Sequence, residues 1–208
     1  MLTNNRPFVV TTIISAVLLG AVLLLHMWKD IPIIRLTGDP GDFVPIYTGF
    51  LSQAGVLFWS ASASICIFCG TATPESVVDS SFRRFLLVSG VFTLFLTLDD
   101  MFLLHEKVLP YFGIPQIFVL GSYVFVTLAY LLVFRQIILD TNYRLLVVSL
   151  FFFAVSIALD VFKPFDYYLH FFEDGAKLVG IVNWAAYLIS VGKCALNSAP
   201  EEIGNAES

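Results

Sequence analysis

Six long apolar runs divide the chain. They cover residues 8–28, 44–69, 85–104, 117–134, 145–162 and 169–191. Each run is close to the roughly 20 residues that an α-helix needs to cross the hydrocarbon core of a bilayer. None alternates apolar and polar positions as a membrane β-strand does. The pattern predicts an all-α polytopic membrane protein with a single bundle of six transmembrane helices.

Composition agrees with this prediction and excludes a soluble domain. Hydrophobic residues make up 58% of the 208 residues, and charged residues only 13%, about half the share usual in soluble domains. The first run ends in HMWKD, which lacks the small residues of a signal cleavage site, so we expect a permanent helix. Residues 1–193 are assigned to the transmembrane domain and 194–208 to a short acidic cytoplasmic tail.

The basic residues suggest an orientation. With the N-terminus in the cytoplasm, six of the 11 Lys and Arg residues lie on the inner side, as the positive-inside rule favours. They are Arg6, Arg83, Arg84, Arg135, Arg144 and Lys193. We therefore predict an N-in/C-in protein, and its small size suggests a bacterial inner membrane. No basic stripe is present, so nucleic acid is not an expected partner.

Ionisable residues collect at the outer ends of the helices on this topology. At about 1.5 Å per residue, four of them lie roughly 22–24 Å from the inner end of their helix, just inside the outer boundary of the core. These four are Asp99, Asp100, Asp160 and Lys177. Just above them lie His26, His105, Glu106, His170 and Glu173. Because charges at such depth are costly, they usually pair with one another and mark a functional site.

The segment LTLDDMFLLHEKVLP contributes the largest share of this layer. In a continuous helix Asp99 and Glu106 would share a face, and His105 would be offset from Glu106 by about 100°. The alternative to a functional site is a helix end that simply emerges into water.

The sixth helix carries a second group. His170, Glu173, Asp174 and Lys177 fall on one stripe at helical spacing. The alternative is an N-terminal cap with local salt bridges, since Glu173 and Asp174 would begin this helix near the positive end of its dipole. A lysine about two turns inside the span is harder to explain in that way.

The leading hypothesis is a metal-assisted acid–base site that acts on a lipid-like substrate. Its predicted metal ligands are Asp99, Asp100, His105, Asp160, His170 and Asp174. Glu106 or Glu173 would be the general base, and Lys177 would orient a carboxylate or bind an anionic headgroup. Mixed His and carboxylate ligands suit Zn²⁺, Mn²⁺ or Fe, and a carboxylate-dominated site suits Ca²⁺ or Mg²⁺.

Two alternatives remain open, so the sequence does not decide whether the protein is an enzyme. One is a proton- or cation-coupled transporter or channel with Asp99, Asp160 and Lys177 as a relay. The other is an accessory subunit of a larger membrane complex or a homo-oligomer, in contact with membrane lipids. Cys66 and Cys69 have the C-x-x-C spacing of redox motifs, but small apolar packing residues are the favoured interpretation.

Overall fold

The computed structural model describes residues 6–37, 48–74, 78–162 and 167–197. Within these ranges the regular structure is helical and no strand occurs. The helices are α1 (Arg6–Lys29), α2 (Ile33–Thr37), α3 (Phe50–Ala72), α4 (Ser80–Phe102), a π-helical segment (Leu104–Val108), α5 (Leu109–Tyr111), α6 (Gln116–Val133), α7 (Arg135–Asp140), α8 (Tyr143–Phe162) and α9 (Tyr167–Asn197).

Six of these helices are long and apolar enough to cross a membrane, which confirms the predicted number of spans. They are α1, α3, α4, α6, α8 and α9. The bounds differ most for α3, which begins at Phe50 instead of residue 44, and for α9, which continues to Asn197, past the predicted domain boundary at 193. Residues 44–47 lie outside the described ranges.

The chain divides into two compact units. Unit 1 comprises Met1–Phe58 and Arg144–Trp184, and unit 2 comprises Trp59–Tyr143 and Ala185–Ser208. Each unit therefore combines segments from distant parts of the sequence.

Unit 1 contains a small apolar core made of Val22, Leu36, Leu51, Leu178 and Val182. Polar side chains also join its helices. The hydroxyl of Thr11 donates to Asn183 Oδ1 at 3.1 Å, and the hydroxyl of Ser149 donates to the carbonyl of Gly180 at 2.8 Å. These bonds connect α1 and α8 to α9, which is the most enclosed of the candidate spans.

Unit 2 is built around α4. Asp79 caps its start by accepting from the backbone N–H of Ser81 at 3.0 Å. Gly90 allows close approach of α3, because a Cβ at this position would lie 2.6 Å from Ile67 Cγ1. One face of α4 carries three buried hydroxyl residues, Ser89, Thr93 and Thr97. The acidic pair near the other end of α4, Asp99 and Asp100, is buried as well.

Candidate functional site

The backbone changes direction where α4 ends. Leu103 adopts a left-handed conformation with φ of 53°, and its N–H donates to the carbonyl of Asp99. A π-helical segment follows at Leu104–Val108. Positive φ is uncommon for a residue other than glycine, and π-helical turns are frequent at functional sites. The third run was predicted to end at residue 104, and α4 ends at Phe102; because the helix stops there, the shared face of Asp99 and Glu106 that a continuous helix would give does not apply.

The turn brings His105 onto Asp99. Asp99 Oδ1 accepts from the backbone N–H of His105 at 3.0 Å and from the hydroxyl of Tyr123 at 2.7 Å. Asp99 Oδ2 pairs with His105 Nδ1 at 2.5 Å. An ionised carboxylate can only accept, so an ionised Asp99 requires the proton of this pair to be on Nδ1. Three donors thus satisfy a carboxylate that is only 3% exposed, as a buried charge requires.

The imidazole of His105 lies between two carboxylates. Its Nε2 is 3.4 Å from Glu106 Oε1, while its Nδ1 faces Asp99. His105 is buried, Glu106 is half-buried, and Asp100 beside them is 4% exposed. A buried carboxylate that fixes the tautomer and orientation of a histidine leaves Nε2 available to move a proton. The set Asp99, His105 and Glu106 is hereafter the acid–base cluster.

Tyr123 is a member of the site that the sequence analysis did not include. It lies on α6, donates to Asp99, and packs its ring edge-on to the imidazole of His105 with 6.2 Å between centroids. A signal for it was present in the sequence. A tyrosine inside an apolar span must find a partner for its hydroxyl, but the sequence does not indicate which residue is that partner.

A row of hydroxyls extends along α4 away from the acid–base cluster. Thr97, Thr93 and Ser89 follow at intervals of one turn, and each donates to the carbonyl four residues earlier. Ser89 Oγ also lies 2.7 Å from the hydroxyl of Tyr130. We call these four residues the hydroxyl row. The row starts at Thr97, near the acidic pair, and reaches Ser89 in the half of α4 that contains no carboxylate and Tyr130 on α6.

The second predicted group lies in unit 1. Asp174 is half-buried, forms a side-chain hydrogen bond with Thr37, and interacts electrostatically with Lys177 first, and then with Glu173 and His170. His170 Nδ1 is 3.7 Å from Glu173 Oε2. The structure therefore brings these four predicted residues together.

The capping interpretation of this second group is wrong. The helix begins at Tyr167, so Glu173 and Asp174 lie six and seven residues inside it, about two turns from its N-terminus. The aromatic residues that precede Glu173 are helical, so the helix starts earlier than the capping interpretation requires. At that depth the dipole contributes little, and Asp174 depends on Thr37 and Lys177 instead.

The remaining predicted residues occupy separate positions. Asp160 is half-buried near the end of α8. His26 Nδ1 is 2.8 Å from the carbonyl of Ile31, which favours the structural role of holding the turn after α1. Cys66 and Cys69 are buried free thiols, and Cys69 Sγ would lie 3.3 Å from a Cβ at position 192. This close packing supports the interpretation of the C-x-x-C pair as packing residues.

The predicted metal ligands fall into both units. Asp99, Asp100 and His105 belong to unit 2, and Asp160, His170 and Asp174 belong to unit 1. Within the part of the chain that the structure describes, no group of three or more His, Cys, Asp or Glu side chains could hold a metal ion. Both oxygens of Asp99 already accept hydrogen bonds. Metal binding therefore stays a prediction.

Comparison with known proteins places most of the chain in one family. A family described as a domain of unknown function (DUF8692) matches residues 11–191. The chain belongs to this family. No curated protein and no solved structure matches the chain. The matched region includes both the acid–base cluster and the group around Asp174, and the family description assigns neither of them a role.

Proposed function

We propose that this protein is a membrane-embedded enzyme in which His105 transfers a proton to or from a lipid-like substrate. The observation that carries the proposal is the position of His105 between Asp99 and Glu106, with Asp99 fixed in turn by Tyr123. A histidine held by a buried carboxylate is the arrangement of general acid–base catalysis. A strained left-handed residue at the same place, Leu103, is also typical of functional sites.

The roles follow from the hydrogen bonds. Asp99 keeps the proton on Nδ1, so Nε2 has the lone pair that accepts a proton from water or from a substrate hydroxyl. The resulting imidazolium would be stabilised between Asp99 and Glu106, and it would return the proton to the leaving group. Glu106 was predicted as the general base, and its position beside Nε2 supports a role as the partner that exchanges the proton with His105.

A metal-dependent version of this chemistry has one specific observation in its favour. His105 Nε2 and Glu106 Oε1 are 3.4 Å apart, and two ligands about 2.1 Å from a tetrahedral metal are also separated by roughly 3.4 Å. Zn²⁺, Mn²⁺ or Fe would suit these two ligands, and Asp99 would then be the carboxylate that orients the ligating histidine.

The unit 1 group has a proposed role in binding. Lys177, beside Asp174, would orient a carboxylate or attract an anionic headgroup. Glu173 remains a second candidate for the general base, and its interaction with His170 supports proton exchange there too. We further propose a single N-in/C-in bundle in a bacterial inner membrane, with the acid–base cluster on the outer side, as the Lys and Arg distribution favours.

The test is a search for lipid turnover. The purified protein is reconstituted into bilayers of defined lipids, incubated, and the lipids are analysed by mass spectrometry. We expect a new lipid product with wild type, at least about 100-fold less with His105→Gln, and wild-type amounts with the control His26→Gln. If wild type converts no lipid, with or without added divalent metal, the enzyme proposal fails.

Proton transfer across the membrane is the second candidate, and the hydroxyl row favours it. Hydroxyls can pass protons, and the contact between Ser89 and Tyr130 places two of them in and beside a part of α4 that has no carboxylate. Proteoliposomes that contain a pH-sensitive dye would report such flux. Wild-type flux that is lost in both Asp99→Asn and Tyr130→Phe would support a transporter. An accessory subunit would show neither turnover nor flux, and Asp99→Asn would alter only assembly or stability.

A further inference from the structure

The segment that follows the acid–base cluster is apolar and exposed. Residues 108–118 read VLPYFGIPQIF and contain no charged side chain. Tyr111 is 86% exposed, Phe112 73% and Phe118 68%. Val108, Ile114 and Ile117 are exposed as well. A connection between helices that stands in water is normally polar, and an exposed apolar surface of this kind marks a site of contact.

The position of the segment suggests what covers this surface. The helix α6 has 18 residues and is about 27 Å long, which nearly fills a hydrocarbon core about 30 Å thick. Residues 108–115 precede it directly and are therefore within reach of the apolar layer at this end of α6. The aromatic side chains Tyr111 and Phe112 are of the kinds that favour the boundary of the membrane and the apolar layer beneath it.

Three backbone N–H groups of the segment are satisfied within it. The N–H of Phe112 donates to the carbonyl of Leu109 at 3.1 Å, that of Gly113 to Pro110 at 3.0 Å, and that of Ile114 to Leu109 at 3.1 Å. Proline occupies positions 110 and 115 and has no N–H to satisfy. Irregular backbone is costly in a bilayer chiefly because its polar groups lack partners. The three N–H groups named above have carbonyl partners, which lowers that cost.

We infer that residues 108–118 are embedded in the leaflet on their side of the membrane, and that the acid–base cluster takes its ligand from this leaflet. The segment begins two residues after Glu106, so a lipid that lies along it would present its headgroup beside His105. The ligand class is accordingly a bilayer lipid and not a solute from water. This second half of the inference rests on the proposed function, whereas the insertion of the segment does not.

Spin-label accessibility tests the insertion. A nitroxide is attached to Phe112→Cys in proteoliposomes, with exposed Cys194 changed to Ser, and its collisions with oxygen and with a water-soluble nickel chelate are compared. Phe125→Cys, on the exposed face of α6, is the lipid control, and Ser80→Cys, at the start of α4, is the boundary control. We expect the oxygen-to-nickel ratio at position 112 to approach that at position 125. A ratio equal to that at position 80 would overturn the inference.

Photo-crosslinking tests the source of the ligand. Proteoliposomes that contain a diazirine phosphatidylcholine are illuminated, and crosslinked peptides are identified. We expect crosslinks within 104–118 to exceed those within Arg135–Asp140 several-fold, both in wild type and in His105→Gln. Equal crosslinking of the two segments would refute lateral lipid access. Because His105→Gln should abolish turnover and leave the label depth unchanged, failure of the chemistry and failure of the insertion can be told apart.

Discussion

Tyr123→Phe removes one hydroxyl and leaves the ring in place. That hydroxyl donates to Asp99 Oδ1 at 2.7 Å, and Asp99 is 3% exposed, so the carboxylate loses one of the three donors that satisfy it. Hydrogen bonds to charged groups contribute about 1.5–3 kcal/mol in proteins, and side-chain hydrogen bonds in membrane proteins contribute about 0.6 kcal/mol on average and up to about 1.7. We expect the free energy of unfolding to fall by about 1.5 kcal/mol, roughly a tenfold change in the equilibrium constant.

The measurement is unfolding in mixed micelles with increasing fractions of a denaturing detergent. Tyr111→Phe makes the same chemical change at a side chain that is 86% exposed, and it should shift stability by less than about 0.5 kcal/mol. A double-mutant cycle with Asp99→Asn should return a coupling of about 1 kcal/mol. Equal stability of Tyr123→Phe and Tyr111→Phe would refute the assignment of Tyr123 as a donor to a buried carboxylate.

Three further predictions concern packing, the hydroxyl row and metal. Gly90→Ala should lower the free energy of unfolding by about 1–3 kcal/mol, because its Cβ would lie 3.0 Å from a backbone oxygen of α3. In contrast, a Cβ at Gly121 meets nothing within 4 Å, so Gly121→Ala should raise the free energy of unfolding by about 0.5–1 kcal/mol. Tyr130→Phe should cost about 1 kcal/mol in the same assay, and an unchanged midpoint would contradict the bond drawn to this hydroxyl. The metal hypothesis expects elemental analysis to find about one Zn, Mn or Fe per chain, lost in His105→Gln, and a metal-free wild type would reject it.

The membrane spans could be predicted from the sequence because lipid imposes a length on apolar runs. The fourth span was predicted at 117–134 and is observed at Gln116–Val133. The apolar runs and the observed helices differ where a helix continues beyond the apolar zone. The helix α9 reaches Asn197, four residues past Lys193, because a helix needs satisfied backbone hydrogen bonds and not hydrophobic side chains. Hydropathy reports the boundary of the lipid, which is a different property.

The burial of the acidic pair was also predictable, since counting residues along the helix placed Asp99 and Asp100 at depth, and both are buried. The partners of Asp99 were not predictable. His105 reaches it only through the left-handed turn at Leu103, and leucine is not a residue that normally indicates such a turn. Tyr123 lies 24 residues away on another helix, and that pairing depends on how α4 and α6 pack.

The turn at Leu103 and the acid–base cluster depend on each other. In a regular helix, residues six apart differ by about 240° in direction, so Asp99 and His105 would face away from one another. A left-handed leucine costs roughly 1–2 kcal/mol, which the three hydrogen bonds to Asp99 can offset at about 0.6–1.7 kcal/mol each. Without those bonds a continuous helix would be the backbone conformation of lower free energy. The buried carboxylate therefore stabilises the strained turn that positions the histidine, and a change that binds or neutralises Asp99 would act on the geometry of the whole cluster.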